Sequence, residues 1–432
     1  MSMILRWCLI LLSMLPLTAN AVIQFEIVGG SDAARPIAIV PFAWNGTTAT
    51  PLQMADIISA DLNRSGQFKT LAPADMLEKP TQANQINFKN WRALGIQHVA
   101  IGRLLLQDGQ YVAEFQLFDV ATEKQLLGHR LPAKPDRLVS TSHAIADLIY
   151  EAITGTKGAF NTRIAYIEAV SEAGVRKYIL QVADSDGRNP RTILKSRQPM
   201  MSVAWSPDGR KLVYVSFENR RPEIFLQDVA TAAREKLAGF AGINGAPRFS
   251  PDGQQLALTL SYGGNPDIYV LNVKTKAVRQ LTRNGAIDTE PVWTKDGQDI
   301  IFTSGRSGAP QLYQMPVSDG DARAKRITFE GNYNASASLS PDGKSLAFIT
   351  RDGSGYHVGV LDRARGFLRV LTRGKLDESP SFAPNGAMLL YATEYRGRGV
   401  LATVSIDGRV QQRFSSSEGD IREPTWGPFI TD

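Results

Sequence analysis

Apolar and polar positions follow three different rhythms along this chain. Residues 22–28, "VIQFEIV", alternate strictly: Ile23, Phe25 and Ile27 share one face of an extended segment, with Gln24 and Glu26 on the other. "GGSDAA" (29–34) follows and has the composition of a hinge. From 35 to about 155 the rhythm is mixed. "RPIAIVPF" (35–42) predicts a buried strand. "PLQMADIISADLNRSGQF" (51–68) places Leu52, Ala55, Ile58 and Leu62 at helical spacing, with Pro51 before and Gly66 after. A short helix around "FKNWRALG" precedes "HVAIGRLLLQ", "YVAEFQLFDV" and "KQLLGHRL", which read as a meander turned first at Asp108-Gly109. A closing helix over "PDRLVSTSHAIADLIYEAITG" lines up Leu138, Ile145, Leu148, Ile149 and Ala152, and Gly155 stops it.

From 161 onwards no helix longer than a turn is expected, and the pattern repeats. "WSPDG" at 205, "FSPDG" at 249, "WTKDG" at 293, "LSPDG" at 339, "FAPNG" at 382 and a broken "WGPF" at 426 stand about 44 residues apart. Pro presets the second turn position, Asp tolerates the third, and Gly accepts the left-handed conformation. Each copy is therefore a tight turn between strands, entered by Trp205, Phe249, Trp293, Phe382 or Trp426, or once by Leu339. Four short apolar runs fill each interval. A four-strand unit of that size cannot bury both faces alone, whereas a ring of such units can. The strand "RIAYIEAV" (163–170) has no motif before it, and Trp426 has no strands after it. The expected fold is thus an α+β N-terminal domain plus an all-β six-bladed β-propeller, closed by pairing the C-terminal strand with the first blade. The boundaries are a leader 1–21, a partner-binding strand and hinge 22–34, a small domain 35–156 and a propeller 157–432.

Composition narrows the class. The 432 residues are 43% apolar and 21% charged, enough to bury large cores. The net charge of +6 is spread among interspersed signs with no long basic run, which disfavours nucleic acid. Arg6, the apolar stretch "WCLILLSMLPL" (7–17) and Ala19-Asn20-Ala21 form an export leader, with cleavage expected after Ala21. The one cysteine, Cys8, lies inside it, so the mature chain has no thiol for nucleophilic, disulfide or metal chemistry.

Catalysis in a propeller needs convergent groups. Of the four histidines, His98, His129 and His143 fall in the small domain; only His357 falls in the ring, mid-strand. No nucleophile elbow or zinc-protease motif is present. A non-enzymatic chain without cofactor is expected. A lyase- or peptidase-type propeller and a glycan- or ion-binding one, with carboxylates holding Ca²⁺ at the channel mouth, are the alternatives.

"RPIAIVPFAWNG" (35–46), "NGAPRFSPDG" (244–253), "DTEPVW" (288–293) and "VLTRGKLDESPSFAPNGAMLLYAT" (370–393) together resemble the TolB family, periplasmic components of the Tol-Pal envelope system. The resemblance spans the chain beyond the leader. It implies a monomeric docking protein that binds the lipoprotein Pal at one propeller mouth, colicins competing there, and TolA through its extreme N-terminal segment. It implies association with the outer membrane through Pal and a role in envelope integrity and cell division. Carried over, the Pal-facing positions are Ile243, Asn244, Ala246, Thr289 and Glu290; Ile243 stands where some relatives have a polar residue. The same geometry adds Glu378 and Glu423 to the ring, with a solvated loop carboxylate as the alternative for each. For the N-terminal segment the resemblance implicates Val22, Ile23, Phe25 and Ile27. Pattern alone also allows an edge strand tucked onto its own domain.

Overall fold

The computed structural model describes the backbone of residues 24–27, and residues 34–415 and 419–430. Strand β1 (Gln24–Ile27) stands apart from the small domain that follows it. That domain comprises β2 (Arg35–Ile39), β3 (Ala43–Trp44), α1 (Met54–Arg64), β4 (Phe68–Thr70), α2 (Phe88–Ala93), β5 (His98–Gln107), β6 (Gln110–Asp119), β7 (Gln125–Ala133) and α3 (Leu138–Thr154). The sheet order is β4-β2-β5-β6-β7. β2 runs parallel to β4 and β5, and β5-β6-β7 is an antiparallel meander. The helix expected from Pro51 begins later, at Met54: Pro51 and Leu52 precede it, and Leu52 packs on the core from outside the helix. It buries Ala55, Ile58 and Leu62 against Ile145 and Ile149 of α3 and Ile37 and Ile39 of the sheet. Gly155 ends α3 at φ 73°, its amide bonded to the Glu151 carbonyl at 2.8 Å.

The chain then winds six antiparallel four-stranded blades. β8 (Arg163–Glu172), β9 (Val175–Asp184) and β10 (Arg191–Ser196) supply three strands of the first, and the fourth is Asp420–Trp426 from the far end of the chain. Thr425 pairs with Ala165 and Trp426 with Ile164, which fastens the ring by backbone hydrogen bonds. The blade ending in Gln411–Ser415 carries a fifth strand, because β1 pairs antiparallel with that edge, Gln24 opposite Ser415 and Ile27 opposite Gln412.

The repeated turn does more than its Pro, Asp and Gly suggest. In the first copy the Gly209 amide bonds the Ser206 carbonyl at 2.9 Å, with Gly209 at φ 66°. The Ser206 hydroxyl accepts the Lys211 amide and donates to Asp208 Oδ1, which also accepts the Arg210 amide. The same circuit recurs at Ser250, Thr294 and Ser340. Neighbouring turns also interlock. A Cβ on Gly209 would come within 3.1 Å of the Pro428 ring, and Gly253 faces Pro207, Gly297 faces Pro251 and Gly386 faces Pro341 in the same way. Two tryptophans tie neighbouring blades by their ring N–H groups, Trp205 donating to the Thr425 carbonyl and Trp293 to the Arg248 carbonyl. Trp426 packs on Leu390 and Leu401 of the adjacent blade and donates to the Thr162 hydroxyl at the start of its own.

Candidate docking site

The six inner strands are Met200–Trp205, Asn244–Phe249, Asp288–Trp293, Asn334–Leu339, Glu378–Phe382 and Asp420–Trp426. Each slips register once against its neighbour. At each slip one residue sits in the left-handed region: Ser202, Ala246, Glu290, Ser336, Ser379 and Glu423, with φ between 47° and 56°. None is glycine, so each position stores about 1 kcal/mol of backbone strain. A β-bulge re-aims a side chain, and six in register aim one residue per blade into the central channel. That channel encloses about 730 Å³.

Two of the bulge residues are carboxylates, and each reaches the adjacent inner strand. Glu290 accepts the Ser336 amide at 2.8 Å, the Ser336 hydroxyl at 2.5 Å and the Thr303 hydroxyl at 2.9 Å. Glu423 accepts the Ser202 amide at 3.0 Å. Glu378, one residue before its bulge, pairs with Arg422 at 3.3 Å. Arg248 lies in the channel lining with these acids, with burial pushing its guanidinium below its ordinary value against the pull of Glu423 and Glu290. Burial likewise pushes the Glu423 carboxyl up, helped by Glu378 and Glu290 and opposed by the Ser202 amide and Arg248. The lining thus carries both signs, Glu290, Glu378 and Glu423 with Arg248 and Lys295, and Glu378 is paired with Arg422.

Around this mouth the loops expose apolar side chains: Met201 is 37% exposed, Ile243 46% and Ile287 58%. Of the residues expected here, Ile243, Ala246, Thr289, Glu290, Glu378 and Glu423 come together at this funnel and its rim. Thr289 is half-buried with its hydroxyl 3.2 Å from that of Thr259. Asn244 is different. It is 1% exposed, and its amide is spent on the Phe240 amide and carbonyl and the Gly242 carbonyl. It braces its own loop and has no group left for a partner. Of the N-terminal positions, Phe25 and Ile27 lie in β1, paired with Phe414 and Gln412 through the backbone. Val22, Ile23 and the expected cleavage point Ala21 lie outside the described residues. Sequence reasoning missed Arg248, Met201 and Ile287. Aligning the repeats would have found the first, because the residue two after the bulge is Ala204, Val292, Ser338, Ser381 or Thr425 in the other blades.

The small domain occupies the opposite face. Arg64, Ser65, Gln67 and Tyr150 of the small domain line one cleft with Asn385, Ala387 and Asp407 at the turn end of a blade. Among the described residues the rim of the funnel mouth stays exposed at Met201, Ile243 and Ile287.

The ring holds no catalytic relay among the described residues. The channel lining contains no histidine. His357 is buried and meets Asp352 Oδ1 at 2.9 Å and the Ser354 hydroxyl at 3.0 Å, both through Nε2. A catalytic relay needs serine on one ring nitrogen and aspartate on the other; here both meet Nε2, so this trio is a hairpin brace. Elsewhere, Asp61, His143 and Asp186 bring three potential ligand atoms close together. Arg64 already pairs with Asp61 at 2.9 Å and Arg188 with Asp186 at 3.1 Å, a setting that suits a proton better than a dication.

Two family descriptions match the chain: "TolB amino-terminal domain" over residues 23–126 and "TolB beta propeller domain" over residues 150–430. The Tol-Pal system protein TolB of Xanthomonas campestris pv. campestris (strain B100) is 56% identical over 99% of both chains, and that of Xanthomonas oryzae pv. oryzae (strain PXO99A) is 55% identical over the same share. The crystal structure of TolB from Acinetobacter baumannii superposes with a TM-score of 0.88 at 42% identity, covering 94% of this chain and all of that one. The chain belongs to the TolB family.

Proposed function

We propose that this member of the TolB family docks the lipoprotein Pal over the open funnel of its propeller and engages TolA through its N-terminal segment. Membership makes the chain a periplasmic, non-enzymatic component of the Tol-Pal system, supporting outer-membrane integrity and cell division. The observation carrying the Pal assignment is the ring of strained bulges. It presents Glu290 and Glu423 beneath an apolar rim on the face that the small domain leaves free. Exposed apolar side chains bordered by polar groups mark a surface that a partner covers. The same surface is the one for which colicins would compete.

The TolA assignment rests on β1. Among the described residues it pairs with a blade edge over Gln24–Ile27. An edge pairing of this kind can be exchanged for another edge by β-augmentation. Gly29 and Gly30, outside the described residues, have the composition of a joint. Pal at the funnel would bias the exchange by a few kcal/mol, the usual size of such coupling. The exported chain is expected to begin at Val22.

Affinity capture from envelope extract, with the mature chain as bait, tests the reading. Recovery of Pal and TolA supports it. Recovery of neither, together with turnover of a polysaccharide or peptide, would return the chain to the lyase or peptidase class.

A further inference from the structure

The small domain meets the first blade through a buried charged cluster. Asp61 of α1 and His143 of α3 are each 1% exposed, and Asp186, in the turn between β9 and β10, is 4% exposed. His143 Nδ1 lies 2.6 Å from Asp61 Oδ2, so that nitrogen carries the hydrogen. His143 Nε2 faces Asp186 Oδ2 at 3.6 Å and has no hydrogen-bond partner. In the neutral ring a lone pair therefore points at a buried carboxylate. A second proton on Nε2 turns that repulsion into an ion pair spanning the two domains. Arg64 adds a second tie, donating to Asp61 and to the Ser185 hydroxyl at 2.9 Å and lying 5.2 Å from the Phe160 ring centre.

We infer that Asp61, His143 and Asp186 form a proton-operated latch, closed when the imidazole is doubly protonated, that fixes the small domain against the propeller.

The groups around the ring come from every packed element. α1 contributes Asp61 and Arg64, and α3 contributes Asp147. The β9–β10 turn contributes Asp184, Asp186 and Arg188, with Arg163 at the start of β8 beside Asp184. Burial alone would lower the imidazole; Asp61 and Asp186 outweigh it and Arg64, so His143 sits above its ordinary 6.5. A folded-state value above the unfolded one makes the latch's contribution complete below pH 6.5, and it is lost as pH rises through the raised value. The latch governs the angle between the domains and stands independently of where Pal or TolA binds.

The mature chain carries no cysteine, so a pair of spin labels can be placed cleanly at Lys89→Cys in α2 and Lys274→Cys in the propeller, both exposed. Pulsed dipolar distances are recorded on the full mature chain between about pH 5.5 and 8.5, spanning the titration range of a histidine. One narrow distance at the acid end, broadening about threefold or more at the alkaline end, is expected of a latch that opens on deprotonation. His143→Gln should remove that pH dependence. A distance distribution unchanged by pH, or a wild-type response retained by His143→Gln, overturns the latch. Should that variant fold poorly, a ¹⁵N titration of the wild-type imidazole decides: a midpoint above 6.5 supports the latch and one below overturns it. Retention of one equivalent of metal by the wild type, lost in Asp186→Asn, would also overturn it.

Discussion

The Glu423 carboxylate accepts the backbone amide of Ser202, 221 residues earlier in the chain, at 3.0 Å. The bond crosses from the last inner strand to the first complete blade. It adds a side-chain tie to the backbone pairing of Trp426 with Ile164. Because burial raises this carboxyl, its ionised form is a burden above the usual glutamate range. Glu423→Gln keeps an acceptor and sheds the charge, whereas Glu423→Ala leaves the Ser202 amide unpaired. At neutral pH the alanine variant should lose about 1–3 kcal/mol in urea unfolding and the glutamine variant should lose none. Equal losses would mean that the acceptor is not what matters.

Interlocked turns make a second contrast. Gly209 and Gly174 both sit at positive φ, 66° and 78°. A Cβ at Gly209 would strike the Pro428 ring at 3.1 Å, whereas at Gly174 nothing lies within 4 Å. Gly174→Ala should cost about 1 kcal/mol from conformation alone. Gly209→Ala should cost more and lower the thermal midpoint further, since the adjacent turn must also shift.

The two docking regions should separate by mutation. Thr289→Ala and Glu290→Gln should weaken Pal binding by about 1–2 kcal/mol each, read by calorimetry; the melting midpoint should stay nearly unchanged for Thr289→Ala and fall for Glu290→Gln, which gives up an acceptor for the Ser336 and Thr303 donors. Deleting residues 22–34 should abolish TolA binding and leave Pal binding largely intact. Loss of both together after the deletion would count against separate sites.

Asp147 predicts a pH dependence of its own. Its carboxylate accepts the Phe160 and Asn161 amides of the segment leading into the first blade, yet burial pushes it up to about 6. A raised carboxylate favours the fold when protonated. The contribution is whole below 3.8 and lost as pH rises through about 6, on the order of 3 kcal/mol. Asp147→Asn should flatten that decline between about pH 3.8 and 6 in urea midpoints, at a cost of about 1 kcal/mol for the amide it can no longer serve.

Much of this architecture was legible in one dimension. The period-2 runs, the recurring turn and the unpaired ends at 163 and 426 specify six blades, because hydrophobic patterning and turn chemistry are local properties of the chain. The start of α1 was misjudged by three residues, since Pro51 marks a region where a helix can begin and packing chooses the residue. Within the candidate site, Glu290 and Glu423 could be named from their loops, yet their roles differ from a solvated rim: both carboxylates are turned inward to brace a neighbouring strand. Asn244 was named for its neighbourhood, and its burial removes it from the surface.

The order of strands and the turns follow from residue types and spacing, which act over a few bonds. The inward aim of the bulge residues, the burial of Arg248 near Glu290 and Glu423, the face covered by the small domain and the meeting of His143 with Asp61 and Asp186 were decided only by tertiary structure. They depend on groups dozens to hundreds of residues apart sharing one low-dielectric space, and no local pattern encodes that proximity.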